Sequence, residues 1–150
     1  MAHAVIVAEQ FNSNSSFATV NPKGWGGAFM NPKGQSVKIF MDWLGMEHEE
    51  FATIFETYNV NNSEGKVMPD FMKKRIMSDY ALVVLVGNIA HTKMLEDKVY
   101  DLGNGSLYML PHPSGRNRQL NDDVVKEKCR RYGREIALIA RALHRSTLKK

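Results

Sequence analysis

Six consecutive apolar residues, Ala81-Leu82-Val83-Val84-Leu85-Val86, run up to Gly87 and stop. A run this short, with no polar alternation, suits a strand covered on both faces, as in a parallel sheet flanked by helices. It is far too short to cross a membrane. Ala4 to Ala8 is a second unbroken run, and Leu107 to Leu110 a third, ended by Pro111. Thr57-Tyr58-Asn59-Val60 reads as another strand. Helical spacing fills the intervals. Val37, Phe40, Met41 and Leu44 share one face of a helix over Gln35–Leu44, stopped by Gly45. Further helices are predicted over Glu49–Phe55, Asp70–Ser78 and Ile89–Lys98. A long last helix is capped by Asp122 or Asp123, with Val125, Cys129, Tyr132, Ile136, Ile139, Ala140 and Leu143 on its inner face. Gly133 weakens it slightly. Four buried strands alternating with helices predict an α/β fold: a three-layer α/β/α sandwich with a four-stranded, mostly parallel sheet, one domain over residues 1–150.

The polar clusters follow the strands. Glu9-Gln10-Phe11-Asn12 closes the first strand and Asn59 lies near the end of the second. After the fourth comes Pro111-His112-Pro113-Ser114-Gly115-Arg116-Asn117-Arg118. Proline fixes φ and disfavours helix before it, so His112 is held rigidly on a loop. In such sheets ligands bind at the C-terminal strand ends, so these clusters are expected to converge there. The segment from Ser13 to about Gly34 is a long polar loop, and loops of this length in compact domains are usually functional. It carries Asn-Pro-Lys-Gly twice, at Asn21–Gly24 and Asn31–Gly34, read as two similar turns. Trp25 and Phe29 lie in it, placed either to stack on a ligand or to fold back on the core.

With one cysteine, Cys129, the chain has no disulfide framework, and a core-facing helix position makes that cysteine a packing residue. No signal-peptide core or membrane span is legible, so a reduced, cytoplasmic protein is expected. The net charge is +4 but uneven. Residues 112–150 hold eleven basic residues against four acidic ones, a net +7, leaving −3 on the other 111. A basic C-terminal quarter fits either a polyanionic partner or a solvated helix face.

Taken in order, these motifs resemble the uracil-DNA glycosylase superfamily, in particular its family 4-like branch. That branch ends its first strand in Gly-Glu-Ala-Pro-Gly, where this chain has Ala8-Glu9-Gln10-Phe11-Asn12. Its Phe-x-Gly-x-x-Gly segment matches Phe29-Met30-Asn31-Pro32-Lys33-Gly34, with Asn31 in place of the first Gly. Its second-strand Asn matches Asn59, and its apolar strand ending in Gly, followed by an Ala-containing helix, matches Val83 to Ala90. Its His-Pro-Ser motif, with an Arg four residues beyond the Ser, matches His112-Pro113-Ser114 and Arg118. Family 4 proteins hold an iron–sulfur cluster on four cysteines; this chain lacks them, so no cluster, metal or other cofactor is expected. It resembles compact, cluster-free relatives from bacteria and their phages.

The resemblance implies a monomeric enzyme that flips an altered pyrimidine such as uracil out of DNA and hydrolyses its N-glycosidic bond. Such cleavage leaves a cationic sugar and an anionic base. His112, supported by Ser114, is the candidate donor to the base oxygen. Glu9, or Asn12 in second place, stabilises the cation and orients water. Asn59 reads the Watson–Crick edge of the base, since an amide donates and accepts at once. Phe29 is the aromatic platform, with Phe11 or Trp25 as alternates, and Gln10 and Phe11 are also assigned to the base site. Ser114, Arg116, Asn117 and Arg118 are assigned to the DNA backbone. Two other functions remain open: a non-cleaving module that binds DNA or a base through the same fold, and an enzyme of free nucleosides or nucleotides. The residues alone also allow Asn59 to be a turn-closing amide and Glu9 a solvated loop carboxylate.

Overall fold

The structure, a computed structural model, describes residues 3–10, 25–29, 32–62, 64–87, 90, 94, 106–113 and 117–148. Four strands form one sheet: β1 Ala4–Gln10, β2 Phe55–Asn61, β3 Leu82–Val86 and β4 Ser106–Leu110. Their order is β2-β1-β3-β4, and each pairing is parallel. The helices are α1 Gln35–Leu44, α2 His48–Ile54, α3 Asp70–Asp79 and α4 Asp123–Leu148. A 3-10 helix, Arg118–Asn121, leads into α4. Ala90 and Met94 are helical and fully buried; the rest of the helix expected over Ile89–Lys98 lies outside the described residues. Among the described residues no helix is long and apolar enough to cross a membrane.

Strand alternation divides the core in two. Ala4 and Ile6 of β1, with Val84 and Val86 of β3, face Phe40 and Leu44 of α1, Phe51 of α2 and Ile136 of α4. Val5 and Val7, with Val83 and Leu85, face Ile76 and Met77 of α3 and the buried Ala90 and Met94. Both faces are therefore covered, which is why the strands read as unbroken apolar runs. Phe40 is fully buried, so its truncation to Ala is expected to cost roughly 3–5 kcal/mol in an unfolding titration.

Several details depart from the sequence reading. β2 begins at Phe55, which was expected to end the preceding helix. Phe55 has extended backbone, while its N–H still donates to the Phe51 carbonyl. Helix passes into strand with no turn residue between, because Phe51, Ile54 and Phe55 satisfy helical spacing while Phe55, Thr57 and Asn59 satisfy strand alternation. The last helix is capped by Asp122, whose Oδ1 accepts the Val124 N–H at 2.8 Å. Gly133 is more than a weak helix former: a Cβ there would overlap the Trp43 carbonyl oxygen, so it is the point where α4 meets the end of α1.

Trp25, in the long loop, folds back. The carbonyl of Trp25 accepts the Asn59 N–H at 2.6 Å, and the Gly27 N–H donates to Thr57 at 2.9 Å. These bonds lay residues 25–27 antiparallel along the outer edge of β2. The Trp25 indole N–H donates to the Lys66 carbonyl at 2.9 Å. The basic C-terminal quarter is also partly spent on the fold. Arg130 pairs with Asp42 at 3.2 Å, Arg134 donates to the carbonyls of Trp43 and Asp42, and Arg141 grips both Glu50 oxygens at 2.7 and 2.9 Å. Cys129 is buried, and burial pushes its thiol up to about 11, as suits a packing residue.

Candidate active site at the strand ends

Because the four strands are parallel, their C-terminal ends share one edge. Register fixes what meets there. Ala8 lies opposite Asn59 and Gln10 opposite Asn61, while Val7 lies opposite Leu85 and Val86 opposite Leu110. Glu9 thus falls level with Gly87, and Pro111-His112 follow directly beyond β4.

Glu9 and Gly87 touch. Gly87 has φ +93°, and a Cβ on it would overlap the Glu9 carboxylate. The missing side chain leaves the space the carboxylate occupies. The Gly87 N–H donates to the Leu110 carbonyl at 2.9 Å, tying this contact to the start of the histidine loop. His112 is half-buried between Pro111 and the buried Pro113. Its carbonyl accepts the Asn117 Nδ2 amide at 2.9 Å. That bond spans the loop and fixes where the imidazole is presented. It also gives the Asn117 amide work within the loop itself. Arg118 is exposed on the 3-10 helix and forms no ion pair among the described residues.

Asn59 is 3% exposed. Its backbone N–H is taken by Trp25, but its side-chain amide has no hydrogen-bond partner among the described residues. A buried amide without a partner costs about 1–3 kcal/mol, so such groups in native proteins call for an explanation. Alternation turns Asn59 toward the layer of α1, α2 and α4. Phe29 is on that same side, its ring 4.8 Å from that of Phe40. Phe29 has φ +58°, a left-handed conformation that bulky residues rarely adopt, and its carbonyl accepts the His48 Nε2–H at 2.7 Å. Glu9 alternates to the opposite layer, that of α3. It and Asn59 lie near the ends of neighbouring strands and point to opposite faces of the sheet.

The structure therefore gathers Glu9, Asn59 and His112 at one edge, with Phe29 on the Asn59 side. Only the backbone of Gln10 is described, paired with Asn61. Phe11, Asn12, Ser114 and Arg116 lie outside the described residues. Sequence reasoning missed Gly87 as the seat of Glu9 and His48 as the anchor of Phe29. Gly87 carried a signal, since a glycine at a strand end marks a close approach; a lone histidine carried none. A cavity of about 610 Å³ lies elsewhere. It is lined by the C-terminal half of α1 and by Arg134 and Arg141, which are already engaged, so its size is no argument for chemistry.

A parallel α/β/α sandwich with polar side chains gathered at its C-terminal edge is the architecture of a ligand-binding doubly covered sheet. The fold matches that of a Methanosarcina acetivorans protein solved by NMR, which carries the provisional name uracil DNA glycosylase. The likeness has a TM-score of 0.51 at 16% identity and covers 90% of this chain and 91% of that one. No protein-family model matches the sequence, and no curated protein does. The chain therefore has a uracil-DNA-glycosylase-like fold.

Proposed function

We propose that the protein is a DNA glycosylase that flips uracil or another altered pyrimidine out of DNA and hydrolyses its N-glycosidic bond. The observation that carries this reading is Asn59, a buried amide with no partner among the described residues, on the same side of the sheet as Phe29 and near the C-terminal edge of the strands. A flipped pyrimidine presents a donor next to an acceptor on its Watson–Crick edge, and one amide answers both.

The remaining roles follow from the chemistry. Scission of the bond between C1′ and the ring nitrogen leaves both bonding electrons on the base. His112 donates a hydrogen bond to the base oxygen where that charge gathers. Glu9, seated against Gly87, balances the positive charge developing on the sugar and orients the attacking water, whose oxygen bonds to C1′ as one of its protons passes to the Glu9 carboxylate and on to the departing anionic base. Phe29 stacks on the base, with Phe11 and Gln10 completing its pocket and Asn12 beside the water. Ser114, Arg116 and Arg118 meet the backbone phosphates, and Asn117 braces their loop.

The test is direct. Labelled oligonucleotides carrying uracil, mismatched bases or hydroxymethyl pyrimidines are incubated with the protein and then treated with alkali, which breaks the strand at abasic sites. Strand breaks at one of these bases, strongly reduced in Glu9→Gln and His112→Ala, are expected. Salt-sensitive DNA binding without breaks on any substrate would replace the enzyme with a non-cleaving DNA-binding module.

A further inference from the structure

A second cavity, about 430 Å³, is a groove between α1 and α4 that no role above uses. Two rows of side chains frame it. Lys38 and Asp42 are one turn apart on α1, and Lys126 and Arg130 one turn apart on α4, so each pair shares a helix face. At one end Arg130 and Asp42 neutralise each other across the groove at 3.2 Å. One turn nearer both helix starts, Lys38 and Lys126 are exposed and form no ion pair among the described residues. Asn117 and Asn121 line this same groove, over an apolar floor that includes Trp43 and Leu120. Asn117 is also the residue that clasps the His112 carbonyl. The groove thus leaves the histidine loop directly, with two uncompensated cations and the Asn121 amide along it.

We propose that this groove is a phosphodiester-binding channel that takes the DNA backbone beyond the flipped nucleotide. It rests on the glycosylase reading and extends it, setting the course of the DNA over α1 and α4. The chemistry selects the ligand. Lysines act on phosphate as point charges and amides donate to its oxygens without adding charge. The Arg130–Asp42 pair closes the far end and holds back a third cation.

Counterion release gives the test a number. Each phosphate neutralised on duplex DNA adds about 0.9 to the slope of log affinity against log salt. Binding of a labelled, undamaged 20-base-pair duplex would be followed by anisotropy across a salt series. Lys38→Gln with Lys126→Gln is expected to lower the slope by about 2 and to weaken binding uniformly across sequences. Asp42→Asn, which frees Arg130, is expected to tighten binding and steepen the slope by about 1. Loss in one variant and gain in the other cannot come from misfolding, and thermal unfolding of each would be read alongside. A wild type that binds with a salt-dependent slope which neither variant alters overturns the channel and leaves the glycosylase reading standing. A wild type with no salt-dependent binding, and no cleavage, overturns both.

Discussion

His48 Nε2 donates a hydrogen bond to the Phe29 carbonyl at 2.7 Å, at a residue whose φ is +58°. Left-handed backbone at a bulky residue costs about 1–3 kcal/mol and persists only where its surroundings enforce it. The imidazole, itself packed against Phe51 at 5.8 Å, is one such constraint, and the Phe40 ring is another. His48→Ala is expected to lower stability by about 1 kcal/mol in urea unfolding. His48→Gln, which can present an amide N–H at similar reach, should recover most of it. Equal losses in both variants would show that the hydrogen bond is not what anchors Phe29.

Gly87 is expected to resist substitution for two separable reasons. Gly87→Ala forces a side chain into φ +93° and into the Glu9 carboxylate. A loss of about 2–3 kcal/mol in unfolding free energy is expected. In a double-mutant cycle with Glu9→Ala the steric part disappears and the backbone part remains, so the two changes should be non-additive by about 1 kcal/mol or more. Strict additivity would deny the contact.

Gly133→Ala offers a test of sign. Helix propensity alone favours Ala over Gly by about 1 kcal/mol inside a helix. The structure leaves no room for a Cβ beside the Trp43 carbonyl, which is backbone and cannot swing away. The substitution is therefore expected to destabilise by about 1–3 kcal/mol in a chemical melt. A rise in stability would mean that α1 and α4 are further apart than described.

The Glu50–Arg141 pair predicts a pH dependence. The hydrogen bond from Arg141 holds the Glu50 carboxyl below its ordinary 4.5. A depressed folded pKa stabilises above the unfolded value, and that contribution is lost as pH falls through the folded pKa. Both side chains are more than a third exposed, so solvent screening keeps the contribution under about 1 kcal/mol. Glu50→Gln should melt slightly below wild type at pH 7, and the gap should close as pH falls from 4.5 through the lowered folded value. A gap that persists below that range would assign the effect to packing.

The sheet was legible because its signals are local. Ala81 to Val86 and Ala4 to Ala8 announce buried strands by their neighbours alone, and the parallel arrangement follows from the helices between them. The start of β2 was not, because Phe55 satisfies both periodicities and no turn residue separates helix from strand. The candidate site was legible to the extent that its residues lie at strand ends: Glu9 and Asn59 near the ends of β1 and β2, and His112 just beyond β4. What the sequence concealed lies in contacts between distant positions. Arg130, Arg134 and Arg141 meet partners about ninety residues away, and nothing near them distinguishes a clamp from a DNA-facing cation. The same holds for Trp25, whose backbone pairing with Asn59 decides that it folds back, and for His48.

Asn59→Leu is the most direct probe of the central claim. It removes the amide's donor and acceptor while keeping the branched shape of the side chain, and leaves Phe29, Glu9 and His112 in place. Single-turnover excision of uracil or the preferred altered base would be measured beside urea unfolding. If the amide is held ready for a flipped base, excision falls by about 10²-fold or more, the scale of losing a dedicated hydrogen-bonding group in an active site. Stability holds or rises, because a buried polar group without a partner has been replaced by an apolar one. Unchanged excision with a loss of stability would contradict the account and make Asn59 part of the scaffold.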